Sequence, residues 1–415
     1  MEGRYFKYYR DSAWQALKAS DYRKAFDYAM KALARDQYNL EALNTAAIAA
    51  TRLGDYDKAA ALYEQALVIQ GETPEVYYNL GLLMARMGGH RDAIKVYREA
   101  LALDQESAEV YLSLADSLGE TGQVEAALAA YDEALRINPG LKDALYNKGI
   151  TLNRAERFKE AEAVFRTLLK DDPDEPSWLG GRAYSLSRLG QYADALKLYR
   201  KALVATPDNA GLSYNAALML ERLGHREDAV MALDRALELD PAFPGAALEK
   251  ANILGDMGAD DEAVKIYDRE AKRNPDDPLI YFDRGISLAR LERYEAALED
   301  FERVLRLDPV NIDALNNKGS VLISLGREKE ALVCFDEVLR YDKKNFTANY
   351  NKACAFAGSG DAKSSVNALK RASQLNKVVL AQAEKDHDFD PIRSSPEFQA
   401  LISGAMHQAP RAGKI

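Results

Sequence analysis

The chain has 415 residues, with 55 Lys and Arg against 65 Asp and Glu, for a formal net charge of −10. That balance excludes the broad basic surface that bulk nucleic-acid binding requires, while leaving room for a local basic groove. Two cysteines, Cys334 and Cys354, exclude a disulfide framework, and the sequence holds no apolar run of about 18 residues that could cross a membrane.

Residues 1–5 are a short lead. The opening MEGRYFKYYRDSAW lacks the apolar core of a secretion signal, which points to a cytoplasmic protein. From Phe6 a helical pattern begins, and it recurs. The clearest copy is Ala108–Leu141, numbered here as positions 1 to 34. Tyr111, Leu114, Ala115 and Leu118 form one apolar stripe at helical spacing, and Gly122 breaks it. Ala127, Tyr131, Ala134 and Leu135 form a second stripe, which Asn138 and Pro139 close because proline cannot continue a helix.

The pattern returns every 34 residues without a gap. Position 20 is Ala25, Ala59, Ala93, Ala127, Ala161, Ala195, Ala229, Ala263, Ala297, Ala331 and Ser365, and position 8 is always Gly or Ala. Small residues there let paired helices approach closely. Position 24 supplies bulk, as in Tyr63, Tyr97, Tyr131, Phe165 and Tyr199.

In chain order, repeat one (Phe6–Asn39) is worn in its first helix, with Tyr9, Ser12 and Ala16 on the packing stripe, as expected of a terminal unit. Repeats two to four (Leu40–Leu141) are regular, with Gly54, Gly88 and Gly122 at the turns. Repeat five (Lys142–Glu175) has Glu156 at its turn and Leu168 at position 27, where alanine is usual. Repeats six and seven (Pro176–Phe243) return to pattern. Repeat eight (Pro244–Asp277) places Lys250 at position 7 and Glu270 at position 27, both expected to face neighbouring helices. These two can pair with each other, mark a weaker joint, or snorkel to water. Repeats nine to eleven (Pro278–Val379) carry Phe301, Phe335 and Leu369 at position 24.

The period and its small, aromatic and proline positions resemble the tetratricopeptide repeat family. Eleven copies, residues 6–379, cover about nine tenths of the chain. The resemblance implies an all-α, right-handed superhelical solenoid forming one continuous array, with partners bound in a concave groove lined by the first helices. It also implies that residues 380–402 are capping helices, with Phe389, Ile392, Phe398 and Leu401 covering the last interface. Residues 403–415 read as a short, polar, disordered tail.

On the first helix, positions 2, 5, 6, 9, 12 and 13 lie away from the packing stripe, on the side that the family uses as its groove. Position 5 holds Tyr78, Tyr146, Tyr214, Phe282 and Tyr350. Position 6 holds Asn79, Asn147, Asn215, Asn317 and Asn351, and position 13 holds Arg52, Arg86, Arg154, Arg188, Arg222 and Arg290. An asparagine amide both donates and accepts, so it can grip the backbone of an extended peptide. Tyrosine adds apolar area with a polar tip, and arginine attracts carboxylates. The arrangement resembles the asparagine ladders of peptide-gripping tetratricopeptide superhelices. The same Asn and Tyr positions are also common in the family consensus, where Asn helps to hold the repeat itself.

Other chemistries find no support. There is no G-x-G-x-x-G after a strand, no P-loop and no H-E-x-x-H, and His90, His225, His387 and His407 are scattered. The sharpest metal candidate is Asp386, His387 and Asp388 with Asp390, but adjacent residues cannot all point inward from one helix. The expectation is therefore no enzyme, no metal and no cofactor. The family's dicarboxylate clamp for chaperone EEVD tails needs Lys at position 2, which is never present after repeat one. Asn at position 9 occurs only at Asn252, with Leu248 at position 5, so no such tail is expected. Position 7 repeatedly carries Lys or Arg, and the phrase NKG at Asn147-Lys148-Gly149 and Asn317-Lys318-Gly319 resembles archaeal and cyanobacterial members of the family.

The reading is a non-enzymatic scaffold that holds an extended peptide or a partner helix, acidic in character, in the groove. RNA binding and self-assembly through terminal repeats are the alternatives from other classes. The partner's identity and the oligomeric state stay open.

Overall fold

The computed structural model describes residues 2–70, 73–376 and 378–408. Every regular element among the described residues is a helix, and the chain falls into two units, Met1–Asp208 and Asn209–Ile415. The first unit holds six helix pairs: α1 (Glu2–Lys18) with α2 (Tyr22–Leu33), α3 (Leu40–Leu53) with α4 (Tyr56–Gln70), α5 (Pro74–Arg86) with α6 (His90–Leu103), α7 (Ala108–Glu120) with α8 (Val124–Ile137), α9 (Lys142–Arg154) with α10 (Phe158–Asp171), and α11 (Pro176–Arg188) with α12 (Tyr192–Ala205). The second holds five more: α13 (Ala210–Arg222) with α14 (Arg226–Leu239), α15 (Ala246–Asp256) with α16 (Asp260–Arg273), α17 (Pro278–Arg290) with α18 (Tyr294–Leu307), α19 (Ile312–Ser324) with α20 (Glu328–Tyr341), and α21 (Phe346–Gly358) with α22 (Ala362–Leu375). It closes with α23 (Val379–Ala383), a 3-10 turn over His387–Ile392, and α24 (Pro396–Gln408). Each pair is one predicted repeat, so both units are all-α tandem arrays.

The turn inside each pair has one backbone solution. Position 15 is left-handed in all eleven repeats, and glycine supplies it in most, as at Gly122 with φ 76°. The Gln123 amide donates back to the Leu118 carbonyl at 2.9 Å and closes the helix end. Ser20, Glu156 and Glu292 adopt the same angle at φ 58–59°. The missing glycine at Glu156 therefore leaves the turn unchanged, at a cost of about 1 kcal/mol in local strain. Asn39, Asn209, Asn311 and Asn345 cap the helices that follow them through side-chain oxygens.

Packing inside a pair rests on positions 8, 20 and 24. The position-20 alanines are fully buried. Ser365 replaces the last of them and donates its hydroxyl to the Ala353 carbonyl at 2.8 Å, so it leaves no buried polar group unpaired. The ring at position 24 lies directly on position 8 of the same repeat. A β-carbon on Gly81 would stand 2.4 Å from Tyr97, and one on Gly319 would stand 2.5 Å from Phe335. Glycine is thus required where the ring sits closest.

Between repeats, position 7 carries a second device. Lys148, Lys250, Arg284, Lys318 and Lys352 each pair with an acid sixteen residues upstream, at position 25 of the preceding repeat: Asp132, Asp234, Asp268, Glu302 and Asp336. Lys250 and Glu270 are therefore not partners of each other, contrary to one of the sequence expectations. Lys250 reaches back to Asp234, while Glu270 pairs with Arg273 at 2.9 Å. Both charges are neutralised by a residue of their own neighbourhood, which is what burial against another helix demands.

Phe389, Ile392 and Phe398 are buried against α21 and α22, and Leu401 is half-buried beside them. α24 runs on to Gln408, so the predicted tail boundary at Ser403 falls inside a helix; the remainder of that tail, residues 409–415, lies outside the described residues. No helix among the described residues is long and apolar enough to cross a membrane.

Candidate functional site

The three groups of predicted groove residues have separate surroundings. The position-5 aromatics are packing residues, half-buried at Tyr78, Tyr146, Tyr214 and Phe282. Tyr78 stands 6.2 Å from Tyr97, Tyr146 6.1 Å from Phe165, and Phe282 6.1 Å from Phe301, each pair joining position 5 to position 24 of one repeat. Tyr214 lies 5.1 Å from Phe243, with the two rings tilted. Tyr350 is buried under the C-terminal segment, with its hydroxyl donating to Asp386 and its ring 5.8 Å from Phe389.

The position-6 amides are occupied by the chain itself. Asn79 donates to Asn44 at 3.0 Å, Asn147 to Asp116 at 2.9 Å and Asn351 to Ser320 at 3.0 Å, all on the first helix of the preceding repeat. Asn317 donates to the Asp313 carbonyl of its own helix at 2.9 Å. Of the five, only Asn215 makes no side-chain hydrogen bond among the described residues. These amides chiefly hold first helix to first helix.

The position-13 arginines are sorted by their neighbours. Arg154 pairs with Glu120 at 2.6 Å. Arg188 donates to Tyr184 at 3.1 Å and covers the Phe158 ring at 4.7 Å. Arg222 lies 3.6 Å from Glu221. Arg290 donates to the Gly255 carbonyl at 2.8 Å and lies 3.5 Å from Asp260. Arg52 and Arg86, both exposed, have no hydrogen bond or ion pair among the described residues.

Two recesses gather these positions. One, of about 430 Å³, is lined by Ile48, Thr51, Arg52 and Tyr63 of repeat two and by Asn79, Leu82 and Arg86 of repeat three. The other, of about 270 Å³, is lined by Asp116, Gly119, Glu120 and Tyr131 of repeat four and by Asn147, Ile150, Thr151 and Arg154 of repeat five. Both use positions 9, 12, 13 and 24 of one repeat with positions 6, 9 and 13 of the next. The second carries its own acids, Asp116 and Glu120. The Asp116 carboxylate accepts from Tyr131 at 2.6 Å and from Asn147 at 2.9 Å, and burial pushes its pKa up while those two bonds oppose the rise.

Positions 9 and 12, which the sequence places on the groove side without singling out a residue, thus complete the recesses. Reading position 9 down the chain, Ile48 and Leu82 against Asp116, is the signal that separates a recess without a carboxylate from one that holds it.

The candidate acidic cluster near the C-terminus is used structurally. Asp386 accepts from Tyr350 and from the Asp388 amide, and Asp390 pairs with His387 and Arg393.

Tetratricopeptide repeat models match residues 78–142, 146–210, 214–278, 38–106, 258–318 and 312–345, and a further one matches 181–241. The chain belongs to the tetratricopeptide repeat family. Solved tetratricopeptide repeat structures give distant likenesses. The C-terminal part of a repeat-containing protein from Cytophaga hutchinsonii is 17% identical over 56% of this chain and 95% of that one, with a TM-score of 0.48. A tetratricopeptide repeat protein from Parabacteroides merdae is 19% identical over 61% of this chain and 99% of that one, with a TM-score of 0.45. A fragment of MamA from Desulfovibrio magneticus is 18% identical over 41% of this chain and 97% of that one, with a TM-score of 0.39. Curated proteins give no match. Tetratricopeptide repeat arrays serve as protein-protein interaction scaffolds, and that general role extends to this chain.

Proposed function

We propose that this protein is a cytoplasmic, non-enzymatic scaffold that holds an extended peptide segment across the first-helix face of its amino-terminal unit. The observation that supports the reading is the recurrence of one recess. The same repeat positions build a hollow between repeats two and three and again between repeats four and five. A segment lying along the stacked first helices would meet both, with a side chain in each. Side-chain selectivity then comes from positions 9 and 13, and the shared frame comes from the position-6 amides and position-24 rings.

The test is selection of short displayed random peptides on the whole protein. Leu82→Trp and Ile150→Trp fill one recess each, and Val204→Trp, at an 83% exposed site on a second helix, is the control. Peptides bound by the parent and the control but lost on either recess variant support the groove. Peptides indifferent to all three tryptophans move the site elsewhere.

A further inference from the structure

The two recesses are one frame in two states. In the second, Glu120 at position 13 turns its carboxylate onto Arg154, the position-13 residue of the following repeat, at 2.6 Å. Asp116 at position 9 places another carboxylate between Tyr131 and Asn147. In the first recess the residues at those two places are Arg52 and Ile48. No carboxylate lines it, and the two guanidiniums of Arg52 and Arg86 are left without an anionic partner among the described residues. Within this frame the Glu120 carboxylate is the group that meets Arg154. At Arg290 too the nearest acid, Asp260, lies 3.5 Å from the guanidinium, so carboxylates are the groups that meet these two position-13 arginines.

We infer that the recess between repeats two and three takes the carboxylate of an aspartate or glutamate side chain from an extended peptide, held between Arg52 and Arg86. The inference rests on the groove reading above and adds the chemical class of the side chain. Guanidinium forks favour a carboxylate over a neutral amide by charge and by paired donors. The net charge of −10 does not oppose this, because screening limits surface charges to about 10 Å and the local field in the recess is positive.

Arg52→Glu gives the first recess the acid that the second already contains, opposite Arg86 as Glu120 is opposite Arg154. Exposed residues are exchanged, so the fold is expected to persist, and thermal unfolding checks that it does. The probe is a library of short displayed random peptides, followed by one enriched peptide and its Glu→Gln or Asp→Asn counterpart. The expected result is enrichment of an acidic residue at one peptide position, with affinity falling roughly tenfold on Arg52→Glu or on the Glu→Gln exchange in the peptide. The double change Asp116→Ile with Glu120→Arg gives the second recess the lining of the first, and should add a second preferred acid to the selected peptides. Peptides enriched without an acidic position, and bound equally by Arg52→Glu, overturn the carboxylate inference and leave the groove reading standing. Enrichment of no peptide by the parent overturns both.

Discussion

Lys318 Nζ lies 3.0 Å from Glu302, sixteen residues upstream on the second helix of the preceding repeat. The pair crosses the joint between repeats nine and ten. Reversing one charge, Lys318→Glu, should place two acids face to face and lower stability by about 1 kcal/mol. The swap Lys318→Glu with Glu302→Lys should recover most of the loss. A double-mutant cycle in denaturant checks this, and the coupling should shrink at high salt.

Gly81→Ala should destabilise the first unit by about 1–3 kcal/mol, although alanine is the better helix former by up to about 1 kcal/mol. The added carbon would enter the buried ring of Tyr97, which has no room to retreat. Shortening that ring to leucine, as repeat eleven does with Ala353 and Leu369, should recover part of the loss. Thermal unfolding of the single and double variants decides it.

Asp283 takes position 6 of repeat nine, where five other repeats have asparagine. Burial, with Asp277 and Asp256 nearby, pushes its pKa up to about 6. Because the folded pKa exceeds the unfolded one, the folded state holds the proton more tightly. Stability is therefore fully retained at pH below the unfolded value and declines as pH rises to about 6. Asp283→Asn should remove that decline. After discounting for its partial exposure, we expect a gain of about 1–2 kcal/mol at pH 8 and none near pH 4. An equal gain at both would refute ionisation as the cause.

Phe398 is buried against Phe389, with ring centroids 5.6 Å apart. Phe398→Ala should cost about 3–5 kcal/mol at the carboxy-terminal end. In a nearest-neighbour array the loss stays local. Amide exchange should quicken in α21 and α22 and stay unchanged in α13 and α14.

Much of this architecture is legible in the sequence, because packing positions must be filled alike in every copy. Ala at position 20 and rings at position 24 could be read directly, and so could the turn, even where Glu156 stands in for glycine. The joints were less legible. Lys and Arg at position 7 were visible as a recurrence, but their partners lie on the other helix of another repeat, and only the fold brings position 25 opposite them. The groove was the least legible. Asn79 and Asn147 look alike in sequence, yet one donates to an amide and the other to a carboxylate. Arg86 and Arg154 are identical residues whose difference lies in whether position 13 of the preceding repeat is Arg52 or Glu120. Packing repeats from copy to copy, whereas the vacancy of a charge depends on a neighbour 34 residues away.

The position-7 ladder also bears on how such a chain can change length. From repeat seven to repeat eleven every joint presents an acid at position 25 to a base at position 7: Asp234 to Lys250, Asp268 to Arg284, Glu302 to Lys318 and Asp336 to Lys352. Excising repeat eight would set Asp234 opposite Arg284, another matched pair. These modules are interchangeable parts with a common coupling, and a crossover between any two of them yields a shorter or longer array whose joints still match.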